Sequence, residues 1–209
     1  MLAFTRSWAV LAACAALSTC SQPDTDGGPG QEASTGGHDS GSGDASSIAS
    51  RCSPPAGLRC PPGSAWEARH GLDSAEYQQT FDTLVGQGYR LSHVSGYSLG
   101  GQGRYAAIWE KCDSPEWEAR HGLSSAEYQQ NFDTFVGQGY RLVQVSGYTV
   151  AAQDLYSAIF EKSQGPAWEA RHGLDSAAYQ QAFDTFVGQG YRLADVSGYE
   201  NRFAGIWTK

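Results

Sequence analysis

The residues best equipped for chemistry are three Arg-His pairs: Arg69-His70, Arg120-His121 and Arg171-His172. Imidazole is the commonest protein metal ligand and a general base near neutral pH. Three histidines at equivalent positions would make a metal site if the chain brought them to one point. The pairs sit in copies of one block, W-E-A-R-H-G-L, opening at Trp66, Trp117 and Trp168, each 51 residues after the last. That period argues against the metal. Stacked copies hold equivalent atoms a repeat apart, and metal–nitrogen bonds of about 2 Å cannot be met from there. The Arg and His side chains are therefore expected to tie each repeat to the next, with the three tryptophans covering the core. No metal, no cofactor and no catalytic residue is assigned.

Nucleophilic catalysis finds no support. The sequence is read as holding neither a G-x-S-x-G elbow nor an S-x-x-K pattern. The recurring carboxylates Asp82, Asp133 and Asp184 read as solvated charges or as partners of Arg90, Arg141 and Arg192. A single active site breaks the symmetry of a repeat protein, and the breaks here lie at hairpin tips and at one strand position. That position carries His93, Gln144 and Asp195, polar in each copy and different in each. A fixed scaffold with variable polar positions is how repeat proteins build binding surfaces, so these three form the candidate binding face.

The elements that position these residues follow from the pattern of one repeat. Asp73 caps a helix and Glu76, three residues on, completes a capping box; Ser124 and Glu127 do the same. Asp175 is followed by Ala178 and has no box. Tyr77, Phe81, Leu84 and Val85 form the expected buried stripe, and Gly88 ends the helix in a left-handed conformation. Tyr89 to Ser98 alternates as a strand, with Tyr89, Leu91, His93, Ser95 and Tyr97 on one face. After a Gly-rich turn at Leu99 to Gly103, a second strand over Arg104 to Lys111 turns Tyr105, Ala107 and Trp109 to one face and Ile108 to the other. Each unit is thus an opening Trp segment, a helix and a β-hairpin, an α+β class. The third hairpin is shorter, as a capping repeat would be.

The rest of the chain places the repeats outside the cytoplasm. The formal charge of −8 excludes a nucleic-acid binder or a polybasic membrane-surface protein. Residues 1–20 read as a lipoprotein signal peptide: Arg6, then a short apolar run, then Leu17-Ser18-Thr19-Cys20, with Cys20 as the expected lipidated residue. Leu11-Ala12-Ala13-Cys14 fits a lipobox by its letters but leaves a shorter apolar run. Residues 21–50 are a Gly/Ser-rich tether with too few apolar side chains to offset the entropy of ordering. Residues 51–65 are a Cys/Pro-rich lead-in, and 66–209 the three-repeat domain, divided into 66–116, 117–167 and 168–209. Cys52 and Cys60 are the expected disulfide; Cys60 with Cys112 is the rival pairing. These features predict a lipid-anchored, non-enzymatic binding module of a bacterial cell envelope, held at an outer membrane or cell surface, for a protein, peptide or glycan. The alternatives are a recognition module or accessory subunit of a hydrolase, and a structural envelope spacer.

The combination W-E-A-R-H-G-L, V-G-Q-G-Y-R-L, V-S-G-Y and Y-A-A-I-W-E-K resembles the bacterial tandem repeat domain family. Related repeats form the amino-terminal domain of fungal polyglycine hydrolases, which are secreted proteases with a β-lactamase-like catalytic domain. The resemblance covers Trp66 to Lys209. It implies a curved antiparallel sheet, like part of a barrel, with helices packed outside. The protease activity belongs to the catalytic domain, for which these motifs carry no counterpart.

Overall fold

The computed structural model describes residues 60–209. Cys14, Cys20, the tether and Cys52 lie outside the described residues. The opening Trp segment, expected only as a lead-in, is itself a strand. Repeat 1 runs β1 (Ala65–Leu72), α1 (Ser74–Gly86), β2 (Arg90–Leu99), β3 (Gln102–Lys111). Repeat 2 runs β4 (Trp117–Ser124), α2 (Ser125–Gly137), β5 (Arg141–Val150), β6 (Gln153–Glu161). Repeat 3 runs β7 (Trp168–Leu174), α3 (Ser176–Gly188), β8 (Arg192–Tyr199), β9 (Arg202–Thr208). Each repeat makes its own three-stranded antiparallel sheet, β1-β3-β2, β4-β6-β5 and β7-β9-β8. The hydrogen-bonded ladders thus form three small sheets, each with the last strand of the repeat at its centre. One continuous curved sheet is not what the ladders make.

The helices form where the caps say they should. Asp73 accepts from the Ala75 and Glu76 amides, Glu76 reaches back to the Asp73 amide, and Ser124 with Glu127 repeats the box. Asp175 accepts only from the Ala178 amide. Each helix ends at a Gln cap followed by a glycine in the left-handed region, Gly88 at φ 84°, and the Tyr89 amide returns to the Leu84 carbonyl at 3.0 Å. The buried stripe is narrower than expected. Tyr77 and Leu84 are inside, Phe81 is half-buried, and Val85 is exposed.

A bulge corrects the expected strand faces. Leu91 pairs with Trp109 and His93 with Ile108, so Ser92 is an extra residue, and the same shift recurs in β5 and β8. An extra residue reverses the alternation. Leu91 and Val94 both point into the core, and His93, Ser95 and Tyr97 take the other side. The hairpin tips are two-residue turns at Gly100-Gly101, Ala151-Ala152 and Glu200-Asn201; Ala151, Ala152 and Glu200 all have positive φ there.

The core lies at the junctions between repeats. One cluster combines Tyr77, Leu84, Val94, Tyr105 and Trp109 of repeat 1 with Tyr148 and Ile159 of repeat 2. The other combines Tyr128, Phe135, Val145 and Phe160 of repeat 2 with Tyr199, Ala204 and Ile206 of repeat 3. Glycine in the strand makes this possible. A Cβ on Gly96 would stand 2.2 Å from the Tyr148 ring, and one on Gly147 would stand 2.1 Å from the Tyr199 ring. At the equivalent Gly198 the nearest side chain is Phe203, at an ordinary 3.6 Å.

The cysteine expectation is corrected as well. Cys60 pairs with Cys112, not with Cys52, with a Cα–Cα separation of 5.7 Å. This was the rival pairing. Strand β1 runs antiparallel to β3, with Ala65 opposite Lys111, so residues just before β1 and just after β3 meet. Sequence distance had favoured the short loop; the extra strand decides otherwise.

The three glycines give a graded test. Gly96→Ala and Gly147→Ala should each destabilise the domain by about 1–3 kcal/mol or more, through overpacking against a buried ring. Gly198→Ala should leave the denaturation midpoint almost unchanged. Equal effects at all three sites in urea titrations would remove the glycine–tyrosine contact as a determinant of the fold.

Candidate functional site

Each junction brings one set of side chains from a repeat onto its predecessor. His121 and His172 carry out the tying role expected of the pairs. His121 Nε2 lies 3.1 Å from Ser74 Oγ at the start of α1, and its ring packs on Tyr77 and Tyr105 at centroid distances of 4.6 and 5.0 Å. His172 repeats this with Ser125, Tyr128 and Tyr156. Burial against these rings lowers the pKa of both imidazoles. His70 has no preceding repeat among the described residues and is exposed.

The arginines do something else, which corrects the paired reading. Arg120 stays within its own repeat: it pairs with Glu118 at 2.8 Å, donates to the Ala119 carbonyl at 2.7 Å, and lies 4.9 Å over the Phe135 ring of α2. Arg171 does the same with Glu169, Ala170 and Phe186, and Arg69 with Glu67 and Ala68. Arg fixes a helix to its own first strand, and His fixes that strand to the helix before it. Asp82, Asp133 and Asp184 accept from Gln78, Gln129 and Gln180 one turn earlier on their helices. Their suggested partner Arg90 instead forms a buried ion pair with Glu161 of repeat 2.

The tryptophans are junction residues that stay half-exposed. Trp117 meets Phe81 edge-on at 5.7 Å and Trp168 meets Phe132 at the same distance, while Trp66 is uncovered. The fully buried indoles are Trp109 and Trp207, on the central strands.

The candidate binding face does not exist as one surface. Gln144 is buried: its Nε2 donates to the Val94 carbonyl at 2.9 Å, and its Oε1 accepts from the Val94 amide at 3.4 Å. Asp195 is half-buried and accepts from the Val145 amide at 3.0 Å. Burial raises its carboxyl pKa, against hydrogen bonds from the Val145 and Val196 amides and the pull of His93. Ser146 and Ser197 likewise accept from the Gly96 and Gly147 amides. Only His93 is exposed. Gln144 and Asp195 meet equivalent backbone groups, at Val94 and Val145, and His93 has no such neighbour among the described residues.

The concave feature that the junctions leave open is a groove of about 570 Å³ between α1 and β4. Tyr77, Gln78, Phe81, Val85, Trp117, Glu118, Ala119, Arg120 and His121 line it. The sequence reading put Phe81 in the buried stripe and Trp117 over the core, where both pack partly buried. What it lacked was the junction: the Trp segment being a strand puts the indole at a groove wall. The same residue types recur at Tyr128, Gln129, Phe132, Val136 and Trp168.

The letters of a G-x-S-x-G elbow, read as absent, are present. Gly96-Tyr97-Ser98-Leu99-Gly100 has the letters G-x-S-x-G. It lies at the end of β2 running into a hairpin turn, whereas an elbow needs a strand entering a helix. Ser98 is exposed and pairs across the hairpin with Gly103. Among the described residues, no group of three or more His, Cys, Asp and Glu is placed to hold a metal ion.

The buried imidazoles give a pH test. The unfolded chain takes protons on these histidines as the pH falls below about 6.5, and the folded domain resists. The unfolded state then binds more protons, so stability is complete above that pH and declines below it. Melts from about pH 7.5 to about pH 5.5 should show a falling Tm. The His121→Gln, His172→Gln double variant should show a flatter profile. An unchanged slope would locate the effect elsewhere.

The repeat boundaries agree with what a family comparison finds. The model of the polyglycine hydrolase-like structural repeat matches the chain three times, over residues 63–111, 114–163 and 165–209. These limits follow the β-α-β-β units, and together they take in more than half of the sequence. The chain belongs to the polyglycine hydrolase-like structural repeat family.

Proposed function

We propose that this protein is a lipid-anchored, extracytoplasmic, non-catalytic binding module, and that its ligand is an extended peptide or glycan segment lying in the junction grooves. The observation that carries this reading is the groove between α1 and β4, where half-buried Phe81 and Trp117 stand beside the polar ends of Gln78, Glu118 and Arg120. Ligand sites commonly combine apolar and aromatic walls with a few fixed polar groups. The counterpart residues at the next junction would extend the track, and a ligand spanning both grooves would gain affinity through effective concentration. The three sheets are the scaffold on which that track would lie.

The non-catalytic part rests on how the reactive groups are used. His121 and His172 each bond a serine at a helix start and pack at steep ring angles between two tyrosines, an arrangement that structure alone explains. The anchor rests on Leu17-Ser18-Thr19-Cys20 and the Gly/Ser-rich tether behind it. A second reading, a recognition module working with a hydrolase, draws on the family's name, and here too the repeat domain binds and a partner cleaves.

Peptide and oligosaccharide arrays, with glycine-rich peptides among the probes, test the binding. Phe81→Ala with Arg120→Ala should lower retention of any hit at least tenfold, compared at a temperature where melts show both proteins folded, since both side chains also make structural contacts. Retention unaffected by the groove changes would place binding elsewhere, and turnover of a probe by the purified chain would end the non-catalytic reading. Cys20→Ala should shift the protein from the membrane to the soluble fraction; unchanged partitioning would end the anchor at that residue.

A further inference from the structure

Every junction joins a leading face to a trailing face. The leading face carries the opening Trp, the His of its strand, and the polar, Ser and Tyr side chains of the first hairpin strand. The trailing face carries the helix Phe and Tyr and the edge of that same strand in the preceding repeat. The three described repeats make two junctions, so among the described residues one leading and one trailing face have no partner.

Both leftover faces are uncovered among the described residues, and both are apolar where the junctions are apolar. On repeat 1, Trp66 is 66% exposed and Ile108 39%, whereas Ile159 and Ile206 are buried in the two junction cores. On repeat 3, Val196 is 50% exposed, whereas Val94 and Val145 are buried. Over Gly198 the nearest side chain is Phe203 of the same repeat at 3.6 Å, where Tyr148 and Tyr199 of the next repeat press on Gly96 and Gly147. Strand β8 alternates strictly between exposed and covered residues, and the equivalent β5 is covered on both sides.

We propose that the protein self-associates head to tail, the leading face of repeat 1 in one molecule docking on the trailing face of repeat 3 in a second copy. The occupant follows from continuity, because the two free faces are the two halves of an interface this chain already makes twice. Carrying the repeat-1/repeat-2 junction onto the free ends sets Trp66 of the second copy against Phe183, its Tyr97 over Gly198, and its Ser95 at the Gly198 amide. It also sets its Glu110 at Arg192, the equivalent of the buried Arg90–Glu161 pair. Arg192 is exposed in the single chain. The junction inside repeats 2 and 3 lacks this pair, because Thr208 stands at the glutamate position and Arg141 lies over Trp168 instead. In this respect the free ends match each other better than repeat 2 matches repeat 3. One contact is poorer: Phe203 replaces the tyrosine whose hydroxyl meets Tyr148 at 2.8 Å, so Tyr97 would pack without that hydrogen bond. A heterologous interface of this kind closes into a ring or continues as a chain of molecules. The proposal does not depend on the ligand grooves, which the docking leaves between helix and strand.

Sedimentation velocity on the full chain with Cys20→Ala, which removes acyl-driven association through that residue, tests it at about 0.15 M salt, where the net charge is screened. The mass should rise above that of the monomer as concentration rises. Trp66→Ala spoils the leading face alone, and Gly198→Leu the trailing face alone; Arg192→Glu replaces the latter if melts show that it misfolds. Each variant alone should remain monomeric. Mixed in equal amounts they retain one intact head and one intact tail, so the mixture should double in mass and stop. A wild-type chain that stays monomeric overturns the proposal, and shielding of Trp66 from a soluble quencher in that monomer would show another segment covering the face. A single variant that associates like wild type, or a mixture that stays monomeric, also overturns it.

Discussion

The outer edge of the first hairpin strand sets the terms for this architecture. Strand β2 hydrogen-bonds to β3 on one side, which leaves the amides of Val94 and Gly96 and the Val94 carbonyl facing away. Buried backbone groups need partners. The partners are side chains of the following repeat: Gln144 for both groups of Val94, and Ser146 for the Gly96 amide. The same edge in repeat 2 is met by Asp195 and Ser197. A sheet that took a fourth strand here would satisfy the edge by backbone pairing and continue as one ladder. Side-chain stitching lets each repeat keep its own sheet while hiding its edge.

That constraint explains a pattern that otherwise looks like functional variation. The stitching position must be polar, but several side chains suffice. Glutamine supplies a donor and an acceptor and serves both backbone groups. A carboxylate serves only the amide, and burial raises the Asp195 pKa. His93 is the same position without a described neighbour. Drift among His, Gln and Asp thus tracks hydrogen-bonding capacity and context. The glycine two residues beyond Val94 and Val145 has no such latitude, because a tyrosine ring of the next repeat lies on it.

Much of the local structure was legible in the sequence. The period, the three capping patterns, the helix ends at Gly88 and its equivalents, and the inward face of Tyr105, Ala107 and Trp109 all follow from residue types at fixed offsets. What the sequence did not reveal depends on contacts between repeats. The Trp segment lacks a clean alternation of buried residues, because its strand covers a sheet edge and meets a neighbouring helix, so it did not read as β1. The Ser92 bulge adds one residue without leaving a compositional mark. Missing β1 had two consequences: it favoured Cys52 over Cys112 for Cys60, and it hid the groove that Trp117 walls while covering the core. The exposed reading of Gln144 failed for a related reason. A polar side chain whose partners are backbone atoms of another repeat looks, in one dimension, like a polar side chain in water.

The placement of the cores at the junctions decides how the domain can fold and what its ends mean. Tyr77 gains its burial partly from His121, and Tyr128 from His172; Tyr179, lacking such a partner among the described residues, is only half-buried. A repeat taken alone therefore exposes aromatic surface that a neighbour would cover, so stability comes from nearest-neighbour pairs more than from single units. Polar outer faces would end such an array. Trp66 and Ile108 at one end and Val196 at the other are instead the residues that make junctions. The ends thus retain the chemistry of the interior, and the rule that stacks repeat 2 on repeat 1 remains available at both of them.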